Sequence, residues 1–347
     1  MRRSLTRLLL VTAVLAPLSA PVTAYAGQGT TLTVMSRNLY LGADLTPAIA
    51  ATSVPAFLGA VAGIYGNVLA TDFPTRAGAL ADEVAATAPD LIGLQEVSRW
   101  TVIGNSPAPS LDFLAILQAQ LAARDLHYAV AAVSDNASIG PVPLVGPFCR
   151  TTGVYDCLLL FQDRDVILVN TDRSGLSATG ARHGRYASQQ VVSTPVGPLS
   201  FDRGWATVQV ALGTHRLRFA LTHLETEDAP AVQEAEGREF LAAVKAPGNV
   251  LAVGDFNSAS DGSTTSTYAD LTGDYFRDAA RGVGPTCCQS GTLANSVSQL
   301  HSRIDLVLSH GALLPRSAIK VGAVPFQAQA PYWPSDHAGV VATLRLP

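Results

Sequence analysis

Lysine is almost missing from this chain. Lys245 and Lys320 are the only two in 347 residues, so arginine carries the positive charge. Charged residues of both signs make up only 14%, and the formal net charge is −4. Such a surface does not attract DNA or anionic lipid over its whole extent. Any pull on a phosphate must come from arginines gathered in a cleft. Three catalytic signatures are absent: Gly-x-Ser-x-Gly, Gly-x-x-x-x-Gly-Lys and His-Glu-x-x-His. Serine hydrolase, P-loop and zincin chemistry therefore have no support. Paired Cys-x-x-Cys spacing is also absent, which argues against a structural zinc site. No repeat period, low-complexity block or clear linker divides the sequence. What is abundant is apolar: 48% of the residues, enough for a sizeable core and against long disordered regions.

Beyond the first residues, no apolar run reaches membrane-spanning length without Pro, Gly or charge. The N-terminus has its own pattern. Arg2, Arg3 and Arg7 precede the apolar stretch 8–18, and Ala24-Tyr25-Ala26 fits a small-x-small cleavage site. Residues 1–26 read as a signal peptide cleaved after Ala26, and residues 27–347 as one secreted domain. Loss of those three arginines takes the formal charge from −4 to −7. Export fits the four cysteines, Cys149, Cys157, Cys287 and Cys288. Neighbouring Cα atoms lie about 3.8 Å apart across a trans peptide, closer than disulfides prefer, so a Cys287–Cys288 bond is expected to be strained. Cys149–Cys157 closes a small loop and is the first choice. Cross-links between the two pairs are the rival.

The hydrophobic pattern predicts strands over 31–39, 91–95, 250–253, 304–308 and 339–346. Helices are predicted over 76–86, 111–124 and 231–244. Two hairpins are expected: 158–161 with 166–169 around Gln162-Asp163-Arg164, and 205–212 with 216–224 through Gly213-Thr214. Both links are too short for a parallel crossover. Hairpins separated by single helices suggest an α/β (α+β) fold with two sheets face to face and helices outside. Residues 41–75 hold two aspartates and no Lys or Arg. They read either as an extra helix or loop covering the core, or as an apolar rim that contacts a membrane surface or another hydrophobic substrate.

Polar residues cluster at the ends of the apolar runs. Asp255 and Asn257 follow the run 250–253, and in extended chain residues two apart point the same way. A carboxylate with an amide can bind a hard cation and orient water or a phosphate oxygen; the plain alternative is an Asx turn. Glu96 follows the buried run 91–95, where a charge is costly unless paired or metal-bound. A Mg²⁺ ligand explains it, and a salt bridge to Arg99 is the alternative. His337 has Asp336 beside it and Asp305 available. One carboxylate can accept the imidazole N–H and fix its tautomer. Such general acid–base help is worth about 10²–10⁴ in rate. His223 ends another strand, and as an imidazolium it could neutralise a phosphate oxygen. Asn38 ends the first strand and could donate its amide to the phosphate. Arg203 could clamp a phosphate through two N–H groups. The other five histidines lack a partner pattern.

Taken in order, Asn38, Leu94-Gln95-Glu96-Val97, Thr222-His223-Leu224, Gly254-Asp255-Phe256-Asn257, Arg303-Ile304-Asp305 and Ser335-Asp336-His337 resemble the endonuclease/exonuclease/phosphatase superfamily, the fold of pancreatic-type deoxyribonuclease. The resemblance runs from Thr31 to Leu346. It implies a four-layer sandwich of two mainly antiparallel or mixed sheets flanked by helices, with the site at one rim. It also implies hydrolysis of a phosphodiester with a divalent metal, Mg²⁺ first and Mn²⁺ or Ca²⁺ as alternatives. By this resemblance Glu96, Asp255 and Asp336 hold the metal, and Asp255 and Asn257 handle metal, water and phosphate. Asp305 orients His337, and His223 stabilises the phosphate. Within the superfamily either the His or the Asp before Phe-Asn takes the proton from water. His337 is assigned here, with Asp255 as its rival. A nucleic acid is the first expected substrate, a sphingomyelinase-like phospholipid the second and a phosphomonoester the third. An inactive binding module of the same fold is the reading from a different class. Nothing in the sequence points to a protein partner.

Overall fold

The computed structural model describes residues 29–150, 153 and 156–347. The signal-peptide reading of residues 1–26 lies outside them. The first half of the chain runs β1 (Thr31–Asn38), α1 (Thr46–Ile49), α2 (Val54–Ala70), α3 (Phe73–Thr87), β2 (Leu91–Gln95), β3 (Arg99–Gly104), β4 (Leu111–Asp112), α4 (Phe113–Ala122), β5 (Tyr128–Pro143) and β6 (Cys157–Asn170). There follow β7 (Leu176–Arg185), β8 (Gln190–Thr194), β9 (Gly197–Phe201), β10 (Gly204–Leu212), β11 (His215–His223) and α5 (Pro230–Val244). The last part runs β12 (Val250–Asp255), α6 (Thr267–Asp274), β13 (Arg277–Asp278), β14 (Asp305–His310), β15 (Leu314–Val321) and β16 (Gly339–Arg345).

Two mixed sheets result. One has the order β15-β16-β1-β2-β6-β3-β4, with β5 also paired to β6; the other has the order β13-β14-β12-β11-β10-β7. β1–β2 and β11–β12 are parallel. The hairpin of β10 and β11 forms as the sequence predicts. Strand side chains alternate between faces, and the buried residues sort accordingly. Leu32 and Val34 of β1, Phe219 and Leu221 of β11, Leu251 and Val253 of β12 and Val307 of β14 belong to one apolar layer between the sheets. Met35 and Ile92 instead pack with Phe57, Ile64, Tyr65, Phe73, Leu80 and Leu117 of α2, α3 and α4. On the opposite side, Val250 and Ala252 pack with Phe240 and Val244 of α5 and Leu271 of α6. Helix, sheet, sheet, helix is the expected four-layer order. The sheets come very close at Gly93, where an added Cβ would lie 2.4 Å from Val253 Cγ2.

Two expectations need correction. The predicted hairpin at 158–169 is one 14-residue strand, β6. Its centre does not turn because β3 pairs with residues 157–162, β2 with 166–169, and β5 runs along both halves. The polar trio that looked like a turn is two-faced. Arg164 reaches the backbone oxygen of Val97 (3.0 Å) and Asp112 (2.7 Å), while Asp163 and Asp165 are buried. The helix expected from residue 76 begins at Phe73, because the Asp72 carboxylate accepts from the Thr75 N–H and Pro74 fits the first turn. Within 41–75, α2 buries Phe57, Val61, Ile64, Tyr65 and Val68 on the first sheet, so this segment covers the core. Among the described residues no single helix is long and apolar enough to cross a membrane. Cys149 is bonded to Cys157, and Cys287 to Cys288.

Candidate active site

Asn38, His223, Asp255 and Asp305 lie at one rim of the two sheets because each continues a buried apolar row, while Asp336 and His337 reach it from the loop before β16. Val34 leads to Asn38, Phe219 and Leu221 to His223, Leu251 and Val253 to Asp255, and Val307 back to Asp305, always in steps of two. Strand register then sets them side by side: His223 pairs with Asp255, and Asp255 with Asp305. Glu96 breaks the step. Its backbone is left-handed, with φ of 55°, which turns the carboxylate toward Asn38.

Asn38 bridges the two sheets. Its Nδ2 donates to Glu96 Oε1 and to Asp255 Oδ2, both at 3.1 Å. Those bonds use both amide hydrogens. The expectation that Asn38 donates to phosphate is therefore corrected: its amide holds two carboxylates together. Glu96 Oε2 also accepts from the Leu41 N–H at 2.6 Å. Asn257 departs from expectation as well. Its φ of 46° ends the extended chain, so it does not point with Asp255. Its Nδ2 donates to the Leu224 carbonyl at 2.9 Å, and its N–H caps Asp255 Oδ1 at 3.1 Å, the Asx turn of the plain reading. It still lines the pocket.

His337 Nδ1 lies 2.9 Å from Asp305 Oδ2, fully inside the protein. Its Nε2 lies 3.6 Å from Asp255 Oδ2. Burial alone would lower the imidazole pKa, but Asp305, Asp255 and Asp336 outweigh it and hold it well above the ordinary value. Asp255 is pushed up to about 6 by burial, against the pull of His337. Asp336 is pushed up to about 7, again by burial first. Their positive neighbours, His337 and for Asp336 also Arg76, do not overcome the cost of burial. Glu96, Asp255 and Asp336 line one pocket with His223 and His337, and an oxygen donor set of this kind suits a hard divalent cation. The residues thus fit the metal that the resemblance implies.

His223 has a different charge from the one expected. Burial, the Arg203 guanidinium and His337 keep its pKa well below the ordinary value, so the ring is neutral. Arg203 Nη1 sits 3.1 Å from Nδ1 and 3.4 Å from Nε2. Arginine only donates, so the shorter contact makes Nδ1 the acceptor and leaves the proton on Nε2, which lies 3.6 Å from Asp255 Oδ2. Arg203 itself faces Glu225 at 3.5 Å as well as the pocket.

Sequence reasoning missed Arg37. It is buried, pairs with Glu83 at 2.9 Å and donates to the carbonyl of His337 at 2.5 Å. A charge inside the apolar run 31–39 was the available signal. It also missed Cys288, whose Sγ lies 3.6 Å from His337 Nε2, Asp163, which it had assigned to a turn, and Asp165.

Comparison with known proteins agrees with this architecture. The description "Endonuclease/Exonuclease/phosphatase family" matches residues 63–337. No curated relative matches the sequence. Among solved structures, Danio rerio TDP2 complexed with a single-strand DNA product aligns over 91% of this chain and 99% of its own, with 15% identity and a TM-score of 0.55. An endonuclease/exonuclease/phosphatase family protein from Leptotrichia buccalis aligns over 90% and 99%, with 13% identity and a TM-score of 0.56. A Bacteroides thetaiotaomicron mannosyl-6-phosphatase aligns over 90% and 99%, with 14% identity and a TM-score of 0.53. At these identities the likeness speaks for the fold. The family match covers most of the chain, and with it this chain belongs to the endonuclease/exonuclease/phosphatase family of metal-dependent phosphoesterase hydrolases.

Proposed function

We propose that this chain is an exported phosphodiesterase that hydrolyses nucleic-acid-type phosphodiesters with Mg²⁺. The observation that carries the reading is the convergence of Asn38, Glu96, Asp255, Asp336, His223 and the Asp305–His337 pair on one pocket. The N-terminal pattern of Arg2, Arg3, Arg7 and Ala24-Tyr25-Ala26, together with two cystines, supports export.

A divalent cation held by Glu96, Asp255 and Asp336 would polarise the phosphoryl group and shield the leaving oxygen. With the charge of Asp255 and Asp336, which raises its pKa, met by that cation, His337 would take a proton from water at Nε2, while Asp305 holds Nδ1–H and stabilises the imidazolium. The water oxygen bonds to phosphorus as the ester P–O bond breaks, and the leaving oxygen takes a proton from solvent. His223 donates Nε2–H to a phosphoryl oxygen as a neutral group. Asn38 keeps Glu96 and Asp255 in register with each other.

A second reading has its own observation. Leu45, Ile49 and Phe201 line both this pocket and an adjoining shallow apolar cleft of about 50 Å³, floored by Phe57, Trp100 and Phe161. A phosphodiester with an apolar substituent, such as sphingomyelin, could rest the start of that substituent against this apolar floor. One assay separates the readings: purified protein with Mg²⁺, then chelator, on plasmid DNA and on sphingomyelin vesicles. Metal-dependent nicking is the expected result. Choline-phosphate release without nicking would favour the second reading, and turnover of neither substrate would refute both.

A further inference from the structure

A second group of buried acids stands beside His223, outside the residues used above. Asp163 and Asp165 follow the step of two back from Ile167, which lies in the layer between the sheets. Asp165 is 0% exposed; neither of its carboxylate oxygens has a partner at normal hydrogen-bond geometry among the described residues, although Asn136 acts on it as a donor and Arg203 as a nearby positive charge. Asp163 Oδ1 is also without such a partner, while its Oδ2 accepts from Asn136 Nδ2 at 3.3 Å. An oxygen of Asp163, an oxygen of Asp165 and a ring nitrogen of His223 all lie within 4.8 Å of one another. Arg203 is the nearby cation, but its nearest carboxylate contact is Glu225, and its Nε has no partner among the described residues. Two carboxylates placed in the layer between two sheets with three oxygens outside normal hydrogen-bond geometry are strongly disfavoured unless something positive meets them.

We propose that Asp163, Asp165 and His223 form a second divalent-cation site, distinct from the carboxylates at Glu96 and Asp336. Two carboxylates and an imidazole are a mixed oxygen and nitrogen donor set. It suits Mn²⁺ or Zn²⁺ better than Mg²⁺, which takes oxygen ligands. Ligation through Nδ1 would replace the Arg203 contact at that nitrogen and keep the N–H on Nε2. An entry path exists: a small cavity lined by Asp163, Arg203, Glu96 and Phe161 adjoins the main pocket. The proposal does not rest on the identity of the substrate.

The test is a metal count on the full chain. Protein stripped with chelator is reloaded with Mn²⁺ alone, dialysed, and analysed for bound metal by mass spectrometry. Asp165→Asn is expected to hold one equivalent fewer than the parent protein. Glu96→Gln is expected to lose the other equivalent and keep this one, so failure here is separable from failure of the phosphoesterase reading. Equal metal content in Asp165→Asn and the parent would overturn the proposal. Should Asp165→Asn not fold, anomalous diffraction from Mn²⁺-soaked crystals of the parent gives the same answer. A peak among Asp163, Asp165 and His223 supports the site, and its absence removes it.

Discussion

Replacing Asp305 by Asn tests the proton-transfer assignment most directly. The carboxylate is fully buried and its Oδ2 sits 2.9 Å from His337 Nδ1. Asparagine keeps the shape and removes the charge. If its oxygen faces Nδ1, the imidazolium formed during attack loses its counter-charge. If its NH₂ faces Nδ1, the ring must accept there and carry its proton on Nε2, the atom that should take one from water. Both outcomes remove most of the general-base contribution, about 10²–10⁴ in turnover, or about 3–5 kcal/mol on the barrier. The pH dependence has a definite sign. Burial lowers the His337 pKa, and Asp305 is the first of the three carboxylates that raise it well above the ordinary value. Without that carboxylate the pKa falls, so the acid limb of kcat/KM should move to lower pH even as the plateau drops. The assay is hydrolysis of a chromogenic phosphodiester across pH 5–9 (about two units either side of neutrality) with saturating Mg²⁺ and a melting curve as folding control. Turnover within twofold of the parent and an unmoved acid limb would refute the reasoning. Asp255, on the other side of the ring at 3.6 Å, would then become the base.

Three further variants probe the frame around the site. Arg37→Ala leaves Glu83 buried without its 2.9 Å partner and frees the His337 carbonyl, so denaturant unfolding should show a loss of about 3–5 kcal/mol. Gly93→Ala drives a methyl to 2.4 Å from Val253 Cγ2 and 2.9 Å from Leu221 Cδ1 where the sheets meet. A loss of about 1–3 kcal/mol is expected, and an unchanged unfolding midpoint would mean the sheets can part there. The double change Cys149→Ser with Cys157→Ser opens a loop of sequence separation 8; loop closure of that length is worth about 2.5 kcal/mol, and the melting temperature should fall by about 3–5 °C with turnover kept.

Much of the site was legible because buried charge is costly, and the sequence shows where charge interrupts an apolar run. Glu96 was found on that ground, Asp255 by its spacing with Asn257 past an apolar run and Asp305 as a partner for His337; the cost of buried charge would also have found Arg37. What the sequence could not show was how hydrogen bonds divide among neighbours. Asn38 looked like a phosphate donor until its two amide hydrogens met Glu96 and Asp255. His223 looked like a cation until Arg203 came within 3.1 Å of it. Strand β5 was invisible for a different reason. Its residues Ser134-Asp135-Asn136 and Gly140-Pro141 are turn-formers, and its ladder with β6 shifts register in three places. The long partner strand holds it extended, with Arg185 donating to the Asp135 and Asn136 carbonyls. The same partner explains the false hairpin: Gln162-Asp163-Arg164 reads as a turn when local propensity is weighed without the strands on either side.

The step of two along the strands explains why site and fold stand or fall together. In β12, Leu251 and Val253 face the layer between the sheets, and Asp255 is the next position on that face. In β11 the same face carries Phe219, Leu221 and then His223. A slip of one residue would drive Val250 and Ala252 out of their contacts under α5 and turn Asp255 away from Asn38 in the same motion. The apolar rows therefore aim the strand residues of the site, while Asp336 and His337 come from the loop before β16, where Arg37 donates to the His337 carbonyl. Glu96 is the exception, since Gln95 holds the next position on its strand and points into the buried layer. A left-handed residue at 96 costs about 1–3 kcal/mol in backbone strain, and its hydrogen bonds to Asn38 and to the Leu41 N–H at 2.6 Å offset it. The strain sits at the one acidic position that the regular sheet geometry would have pointed elsewhere.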